Sequence, residues 1–491
     1  MITNDATLVR LKHRIMEETA KLAWNDQIDE EHKEKLIYEI IPGPTATYRC
    51  CVYKERELVK QRINLSLAKC PDGIKQSDNI VQVISPACEE CPLSAYTVTD
   101  NCRLCMGKAC INSCRFGAIS IGEHRTRIDP AKCKECGMCA KACPYGAIAH
   151  LVRPCKKACP VGAITYDDFG ICQIDENKCI QCGHCIHSCP FGAIGSKTYL
   201  VEIIKAIKAG KEVIAMVAPA TEGQFGPDIT MQSIKDAFLK LGFADMVEVG
   251  LGADLTAAYE AREWIEALDK GTKLTTSCCP AFVEMIRKNY PDIYEKNKSK
   301  TVSPMCATSR YLKVIKPDAK TVFIGPCVAK KKEAQNEDIP GNADYVITFG
   351  ELQILMNSCN VTFEPAEDFA QESSLFGKKF ASSGGVANAV LEVMKELGEE
   401  TDNIKLYRAS GGAECKKALL LLKNNRLPED FIEGMFCPGG CVGGPSRRKT
   451  EIEITKARTK QLASADDRKI LENIENLPLG KFSMYTDGHM D

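Results

Sequence analysis

The spacing of apolar and polar positions changes twice along the chain. Residues 1–85 carry apolar side chains at helical spacing, as in the amphipathic stretch 49–68, and are predicted to be mostly helical. Residues 86–195 instead hold short, cysteine-rich repeats, and from residue 196 short apolar runs alternate with helical patterns. The chain is therefore predicted to fold into several differently built regions.

Four apolar runs after residue 196 are predicted to be strands, at 211–219, 245–250, 321–327 and 344–350. A loop and a helical pattern follow each run, which is typical of an α/β fold with mainly parallel strands. Such folds bind ligands at the carboxyl ends of their strands. Residues that directly follow the runs are therefore expected to lie close together.

These patterns predict a multidomain protein of the α+β and α/β classes. Its predicted parts are a helical N-terminal region at 1–85, two cysteine-rich modules at 86–150 and 151–195, an α/β domain at 196–455 and a helical tail at 456–491. Within the tail, one helix is predicted over 464–477.

Composition and charge narrow the range of partners. The 491 residues include 64 basic and 65 acidic side chains, a net charge of −1, so nothing in the charge balance indicates nucleic acid or an anionic membrane surface. No stretch approaches the roughly 20 apolar residues of a membrane span, and the first residues lack an apolar core. We expect a cytoplasmic protein that binds neither nucleic acid nor membrane.

Cysteine is unusually frequent in this chain. Twenty of the 28 cysteines lie between Cys50 and Cys189, and the other eight lie between Cys278 and Cys441. Because the cytosol keeps thiols reduced, metal binding explains them better than disulfides. The dense region repeats "RFGAI", "PYGAI", "PVGAI" and "PFGAI", each directly after a cysteine, with glycines 29, 16 and 30 residues apart. The repeats therefore form two pairs.

Two segments of this region, 133–144 and 179–190, have the spacing C-x2-C-x2-C-x3-C-P. Bacterial ferredoxins bind [4Fe–4S] clusters with this spacing, three cysteines on one cluster and the fourth on its neighbour. Zinc is the alternative, but zinc sites usually take two CxxC pairs from separate hairpins and need no fourth cysteine before proline. The run 102–114 departs from the pattern, with four residues between Cys105 and Cys110 and with Arg115 in place of proline. A longer loop around a cluster is expected there.

In such paired runs, the fourth cysteine of each run binds the cluster of the other run. This rule predicts three complete ligand sets. They are Cys102, Cys105, Cys110 and Cys143; Cys133, Cys136, Cys139 and Cys114; and Cys179, Cys182, Cys185 and Cys159. Cys155 and Cys189 remain as half of a fourth set, which Cys88 and Cys91 of an upstream CxxC motif can complete. Alternatively, Cys88 and Cys91 form a separate zinc knuckle or stay free. Cys172 is predicted to be a packed thiol.

Several of the remaining cysteines lie near the ends of predicted strands. Cys278 and Cys279 come shortly after "KLTT", Cys327 follows "VFIGP", and Cys437 and Cys441 lie in a glycine-rich segment. Loops at the carboxyl ends of parallel strands meet at one edge of a sheet, so these cysteines are predicted to share one site.

Three motifs around these cysteines, "TSCCP" (276–280), "GPCVAKKKE" (325–333) and "MFCPGGCVGG" (435–444), together resemble the signatures of [FeFe]-hydrogenases. Ferredoxin-like modules precede the catalytic domain in that family too, and the chain is similar to its group B branch. The resemblance implies an α/β catalytic domain that holds an H-cluster between two lobes. This cofactor joins a [4Fe–4S] cluster to a diiron subcluster that carries CO, CN⁻ and a bridging dithiolate.

The resemblance also implies roles for single residues. Cys279, Cys327, Cys437 and Cys441 would hold the [4Fe–4S] part, with Cys441 bridging to the diiron subcluster. Lys330 would donate a hydrogen bond to a cyanide on the distal iron, and Met435 would pack against the diiron site. Gly325 departs from the family, since better-known members have methionine before the Pro-Cys pair.

Cys278 adjoins a ligand but is not one itself, and the resemblance implies that it passes protons to and from the diiron site. An unperturbed thiol pKa of about 8.5 lies near neutrality, which suits this task. Glu260 and Glu263 lie three residues apart on one helical face and match the two glutamates of the family's proton relay. Without the resemblance, such a pair indicates only a solvated helix face.

The implied reaction is 2H⁺ + 2e⁻ ⇌ H₂, with four accessory [4Fe–4S] clusters passing electrons to or from ferredoxin or a similar carrier. Separate hydrogenase maturation proteins would supply the diiron subcluster. The alternative is a noncatalytic iron–sulfur protein of the hydrogenase-like family, in cluster assembly or hydrogen sensing. Assembly factors of this kind keep the four ligand cysteines and typically lack the thiol of Cys278. Cys306, Cys359 and Cys415 match no ligand position and are predicted to be packed thiols.

Overall fold

The described residues of the N-terminal part form three helices. The computed structural model describes residues 6–49, 51–72, 77–88, 91, 96–367 and 371–489. The three helices are α1 (Ala6–Trp24), α2 (Glu30–Ile40) and α3 (Val52–Ser66). Trp24 donates from its indole to Ser358 Oγ at 3.1 Å, and Arg62 of α3 donates to the carbonyl of Gly192. These helices therefore contact both the second cysteine-rich module and the C-terminal domain. Within the described residues, no helix combines the length and the apolar character needed to cross a membrane.

One-turn helices and short antiparallel strand pairs form the two cysteine-rich modules. Their elements are β1 (Val81–Val83), β2 (Tyr96–Val98), α4 (Ala109–Asn112), β3 (Ile119–Ile121), β4 (Thr126–Ile128), α5 (Met138–Ala142), β5 (Ile148–His150), α6 (Pro154–Ala158), β6 (Ile164–Tyr166), β7 (Cys172–Ile174), α7 (His184–Ser188) and β8 (Ile194–Ser196). The pairs are β1 with β8, β2 with β5, β3 with β4, and β6 with β7. β1 lies in the region predicted to be helical, yet its buried, β-branched Val81 and Val83 pair with β8 instead. Residues 1–85 are thus not helical throughout.

The repeated glycines shape both modules. Gly117, Gly146, Gly162 and Gly192 have φ angles between 56° and 65°, a conformation that residues with a side chain adopt only with strain. In each repeat, the backbone N–H of the alanine after the glycine donates to the Sγ of the cysteine four residues earlier, at 3.2 to 3.4 Å. The glycine therefore turns the chain so that an amide hydrogen-bonds a cysteine sulfur.

Two parallel sheets build the C-terminal domain, with strand orders β10-β9-β12-β13 and β11-β15-β14. The elements are α8 (Leu200–Lys208), β9 (Val213–Val217), α9 (Met231–Lys240), β10 (Asp245–Glu248), α10 (Val249–Asp269), β11 (Leu274–Thr275), α11 (Pro280–Asn289), α12 (Pro291–Asn297), α13 (Pro304–Ile315), β12 (Lys320–Gly325), α14 (Ala329–Ala334), β13 (Tyr345–Thr348), α15 (Phe349–Ser358), α16 (Leu375–Lys379), α17 (Gly385–Glu396), β14 (Leu406–Ser410), α18 (Gly412–Lys423) and β15 (Phe431–Met435). All four predicted strands are present and pair in parallel, which confirms the α/β prediction.

The apolar run 245–250 is only partly a strand. β10 ends at Glu248, and the long helix α10 begins at the next residue, because a short apolar run does not by itself distinguish a strand from the start of a buried helix. Glycine lets this helix start pack closely, since a Cβ on Gly250 would lie 2.5 Å from Cβ of Ser373. α10 is buried along most of its length and packs against α13 and α17.

The last part of the chain is built into the C-terminal domain. Its helices are α19 (Glu451–Leu462), which crosses the predicted boundary at 455, and α20 (Ile470–Ile474). The predicted helix over 464–477 is thus shorter than expected, because the carboxylate of Glu396 accepts the N–H groups of Ile470 and Leu471 at 3.0 and 2.9 Å and fixes where the helix begins. Arg310 of α13 donates to the carbonyl of Ser483 at 2.6 Å.

Candidate functional site

One cavity collects residues from the carboxyl ends of both parallel sheets. Its empty space, including the open solvent at its mouth, is about 850 Å³, and its walls are almost entirely apolar. The residues that the three motifs predict all line it: Cys279, Cys327, Cys437 and Cys441, with Cys278, Lys330 and Met435. Met435 ends β15 and is 2% exposed. The structure therefore brings together, at the strand ends, residues that lie up to 163 positions apart in sequence.

The four predicted ligand thiols are surrounded by protein and by one another. Burial and the charge of neighbouring thiols raise the pKa of Cys327 to about 11 and that of Cys441 to about 12. Burial also raises the pKa of Cys279 and that of Cys437. Thiolates this crowded and desolvated need a positive charge beside them, which a metal provides when it deprotonates the thiols that coordinate it. The thiols and the apolar wall therefore fit a bound iron–sulfur cofactor.

The adjacent cysteines face different parts of the molecule. Cys279 precedes α11 in an extended conformation, φ −94° and ψ 107°, and successive side chains of extended backbone point to opposite sides. Cys278 packs with the apolar cluster that contains Trp264. Cys279 packs instead with the cluster that contains Phe436 and Cys327. Neighbouring residues can therefore serve two different chemical tasks.

A buried carboxyl group lies near Cys278. Glu260 of α10 is fully buried, and its Oε1 accepts hydrogen bonds from the N–H and Oγ of Ser277 at 3.1 and 3.2 Å. Burial, together with the charge of Glu263, raises the pKa of Glu260 to about 7. Burial, and then the charge of Glu260, also raises the pKa of Cys278. Glu260 is therefore not part of a solvated helix face.

Glu263 lies nearer the surface than Glu260 and is partly exposed. Its carboxylate accepts from the N–H of Lys300 at 3.0 and 3.1 Å, and burial raises its pKa. The fully buried hydroxyl of Ser299 interacts with both Glu260 and Glu263 and partly offsets the rise of each pKa. Nothing in the sequence indicates a role for Ser299. Ser277 could have been predicted as a site residue, because it directly precedes the cysteine pair.

Lys330 holds a positive charge in the cavity wall. Its Nζ forms an ion pair with Glu333 Oε2 at 2.7 Å and donates to Ser303 Oγ at 2.8 Å and to the carbonyl of Cys278 at 3.3 Å. Burial opposes the charge of Lys330, but Glu333 keeps its pKa above the ordinary value. Glu333 was recognisable from its position three residues after Lys330 on the same helical face, whereas Ser303 had no signal.

Gly325 leaves room for an aromatic ring in the cavity wall. A Cβ at this position would lie 2.7 Å from Cε1 of Phe323 and 3.2 Å from Cβ of Ala218. Phe323 and Ala218 both line the cavity. Any side chain at position 325 would therefore displace the Phe323 ring. This close contact explains why glycine stands at position 325.

The two predicted sets of the first module each surround one pocket. Cys102, Cys105, Cys110 and Cys143 line the first pocket, and Cys114, Cys133, Cys136 and Cys139 line the second. Each fourth cysteine therefore lies with the run of its partner, as the ferredoxin-type spacing predicts.

The third set adjoins the cavity. Cys182 lines the cavity wall, and burial raises its pKa to about 12, with further contributions from the charges of Cys179, Cys159 and Cys327. Burial likewise raises the pKa of Cys185, to which Cys182, Cys179 and Cys159 contribute. The third set is therefore grouped as predicted and lies next to the predicted ligand Cys327.

The fourth set is also brought together. Burial raises the pKa values of Cys88 and Cys91, and the charges of Cys155 and Cys189 raise both further. The glutamates between Cys88 and Cys91 lie outside the described residues. Cys172 is buried, as predicted, but its N–H also donates to the Sγ of Cys88 at 3.3 Å.

The other cysteines lie apart from these sets. Cys306 and Cys415 are fully buried, in agreement with packed thiols, and Cys359 is half-buried. Among the described residues, no three His, Cys, Asp or Glu side chains are close enough together to hold a single metal ion.

Comparison with protein families gives three matches. Residues 211–445 match the iron only hydrogenase large subunit, C-terminal domain. Residues 126–149 match the 4Fe-4S binding domain, and residues 153–193 match the 4Fe-4S dicluster domain.

Individual relatives include enzymes and an assembly factor. The periplasmic [Fe] hydrogenase large subunit of Nitratidesulfovibrio vulgaris is 31% identical over 376 residues, which cover 65% of this chain and 86% of that protein. An NADP-reducing hydrogenase subunit of Solidesulfovibrio fructosivorans is 29% identical over 57% of this chain, but only 58% of that subunit is covered. A probable cytosolic Fe-S cluster assembly factor of Anopheles gambiae is 26% identical over 48% of this chain and 60% of that protein. A solved [FeFe]-hydrogenase variant from Chlamydomonas reinhardtii superposes with a TM-score of 0.45 at 24% identity, over 57% of this chain and 91% of that one.

Proposed function

Because the chain belongs to the iron-only hydrogenase family, we propose that it catalyses the reaction 2H⁺ + 2e⁻ ⇌ H₂ at an H-cluster bound in the apolar cavity. The observation that carries this proposal is the convergence of four cysteines in the cavity, with a fifth thiol, Cys278, beside the buried carboxyl group of Glu260. Four ligands suit the [4Fe–4S] part, and the extra thiol suits proton transfer.

In this proposal the cavity residues bind the cofactor and exclude water. The ligands are Cys279, Cys327, Cys437 and Cys441. When bound, the H-cluster supplies the iron chemistry that makes or breaks the H–H bond. Lys330, kept charged by Glu333, offers its ammonium to an anionic group such as cyanide, and such a fixed donor acts strongly in an apolar, water-poor cavity. Met435 contributes to that apolar wall.

Protons move between the cavity and the surface along polar side chains. Cys278 exchanges a proton with the cavity, and Glu260 exchanges it with Cys278. Ser299 then links Glu260 to Glu263, which is only partly buried in the structure. A carboxyl group with a pKa of about 7 both gains and loses a proton readily near neutral pH.

Electrons follow the cysteine sets. We assign one [4Fe–4S] cluster to each of the four accessory sets, and the set of Cys182 exchanges electrons with the catalytic cavity because Cys182 lies in its wall. A soluble carrier such as ferredoxin supplies or removes the electrons, and maturation proteins insert the diiron subcluster.

A noncatalytic role in iron–sulfur cluster assembly is the second candidate, because the chain is also 26% identical to a probable assembly factor. Four cysteines in one cavity suit either role. A thiol in the cavity wall near a buried carboxyl group suits proton transfer to the cavity, so Cys278 and Glu260 favour the enzyme.

Infrared spectroscopy of protein matured with the hydrogenase maturation proteins tests the proposal. We expect absorption bands of iron-bound CO and CN⁻, together with hydrogen evolution from reduced methyl viologen. Protein that carries its [4Fe–4S] clusters but gains neither the bands nor the activity would support the assembly role instead.

A further inference from the structure

The first cysteine pocket of the first module opens at the surface between apolar and basic side chains. Arg103, Met106, Lys108, Ile121 and Tyr145 line this pocket together with its four cysteines, and we name these five residues the docking rim. Met106 is 98% exposed, Ile121 56% and Tyr145 55%. Exposed apolar side chains of this size around a small pocket are typical of interaction surfaces.

The docking rim belongs to the more positive of the two modules. Residues 86–150 contain eight basic and six acidic side chains, a net side-chain charge of +2, and all eight basic residues are exposed. Residues 151–195 contain four of each sign and have no net side-chain charge. Both modules hold two cysteine sets, so bound clusters change both totals alike and leave the first module more positive by two charges.

Two cations of the rim are available to a partner. Arg103 and Lys108 are exposed, and neither forms an ion pair within the described part of the chain. Cations held in this way around an apolar surface attract an acidic protein and orient it.

The third and fourth accessory sets, both in the second module, are covered by the protein itself. Gly192, next to Cys189 of the fourth set, is packed so closely that an added Cβ would lie 2.8 Å from both Arg62 and Leu8 of the N-terminal helices. Gly183, within the third set, would meet Val328 of the C-terminal domain at 3.0 Å. The first module is open at the docking rim, where Met106, Ile121 and Tyr145 are exposed. It therefore offers a more open approach to a cluster than the second module does.

We propose that a small acidic protein with a one-electron iron–sulfur centre docks on the rim and exchanges electrons with the cluster of Cys102, Cys105, Cys110 and Cys143. Each encounter transfers one electron. Two reduced carriers and two protons therefore yield two oxidised carriers and one H₂, and the reverse reaction consumes H₂. This inference rests on the proposed function and specifies where its electrons enter.

The test compares three double charge reversals in the matured enzyme, each of which changes the net charge equally. Arg103→Glu/Lys108→Glu alters the rim, Lys134→Glu/Lys141→Glu alters the rest of the first module, and Lys211→Glu/Lys395→Glu alters exposed positions of the C-terminal domain. The probe is a small acidic ferredoxin with one [4Fe–4S] cluster. Hydrogen evolution is measured with this ferredoxin and, separately, with methyl viologen, which needs no docking surface.

We expect the rim variant to raise the KM for reduced ferredoxin by about tenfold at low ionic strength, with kcat and the methyl viologen rate close to those of the parent, because surface charges act mainly on association. Added salt should raise the KM of the parent and change that of the rim variant little. Met106→Ala should also raise the KM but leave its salt dependence unchanged, because it removes apolar contact and no charge.

A rim variant with the parent's KM would overturn the proposal, as would a larger effect of the Lys134/Lys141 pair or an equal effect of the Lys211/Lys395 pair. Calorimetric titration of the same cluster-loaded proteins with ferredoxin measures docking without catalysis. If the parent produces no H₂ from methyl viologen, the proposed function fails, and the titration alone decides whether the rim binds the carrier.

Discussion

Among single residues, the surroundings decide which thiols are suited to chemistry. Burial raises the pKa of both Cys278 and Cys306, although Cys278 is half-buried and Cys306 is fully buried. Cys278 lines the cavity and lies near the carboxyl group of Glu260, whereas Cys306 is fully buried in α13 and does not line the cavity. In the proposed relay Glu260 is the proton partner of Cys278, so we expect the two thiols to differ in function.

Substitution of the adjacent cysteines separates cluster binding from proton transfer. We expect Cys278→Ala to retain the iron content and the CO and CN⁻ infrared bands of the parent, and to lose about 100-fold or more of the hydrogen evolution rate, the usual contribution of a positioned acid–base group. Cys279→Ala removes a ligand and should lower the iron content itself. Near-parental turnover in the Cys278 variant would contradict the relay assignment.

The buried carboxyl group of Glu260 predicts how stability depends on pH. Its pKa rises from 4.5 to about 7 on folding, so the folded protein keeps a proton that the unfolded chain has lost between these pH values. The stability associated with the protonated group is present below pH 4.5 and is lost as the pH rises through 7. Glu260→Gln cannot ionise, so its stability relative to the parent should increase from pH 5 to pH 8, by about 3 kcal/mol at most.

Chemical unfolding of both proteins at these two pH values measures this difference. Glu266→Gln is the matched control, because Glu266 lies on the same helix but is exposed and ion-paired with Lys270. The control should show no such pH dependence between pH 5 and pH 8. An advantage of Glu260→Gln that is the same at both pH values would show that the carboxyl group titrates normally.

At the scale of elements, the same five-residue repeat occurs twice in each of the two cysteine-rich modules. Each glycine turns the chain and each following alanine directs its N–H to a cysteine sulfur. Hydrogen bonds to a sulfur stabilise its thiolate form, which is the form that binds iron. The repeat visible in the sequence is therefore the repeat of one local hydrogen bond.

The same glycine-to-alanine substitution should lower the folding stability by different amounts at Gly146 and Gly192. Gly146 has open space around its Cα, whereas a Cβ on Gly192 would lie 2.8 Å from Arg62 and Leu8. Gly146→Ala should cost only the strain of a positive φ, about 1–2 kcal/mol, and Gly192→Ala a further 1–3 kcal/mol or so from overpacking. Thermal unfolding of the two cluster-loaded variants compares them, and an equal loss would mean that the N-terminal helices are not held at this contact.

Across the whole molecule, the cysteine sets span the chain from Cys88 to Cys441. The third set adjoins the cavity that holds the four motif cysteines. In the fourth set, Cys88 and Cys91 from the start of the first module lie near Cys155 and Cys189 of the second. The N-terminal helices cover this fourth set. The ferredoxin-like region is thus closed on one side by the C-terminal domain and on another by these helices.

The fourth set is tested by iron content. Protein without its diiron subcluster should carry about twenty irons in five [4Fe–4S] clusters, and Cys88→Ser/Cys91→Ser should lose about four of them. One reducible cluster should also disappear from an EPR titration. Cys359→Ser is the control, because this half-buried cysteine lies outside all five sets. Unchanged iron in the double variant, or stoichiometric zinc in the parent, would leave three accessory clusters.

The sequence by itself determined the features that depend on near neighbours. The C-x2-C-x2-C spacing predicted which cysteines the structure groups together, because two intervening residues allow the chain to wrap one group of irons. The apolar runs 211–219 and 321–327 predicted strands correctly, and the cysteine motifs predicted the members of the cavity. All of these signals lie within a few residues of one another or repeat a known spacing.

Only the tertiary structure decided which distant side chains meet. Ser299 interacts with two glutamates of α10, Phe323 fills the space above Gly325, and Cys88 approaches Cys155. The same structure made Glu260 a buried carboxyl group with a raised pKa, although its helical spacing alone indicated a solvated face. Burial and long-range contacts arise from packing between segments, and no local spacing of residues encodes which segments pack together.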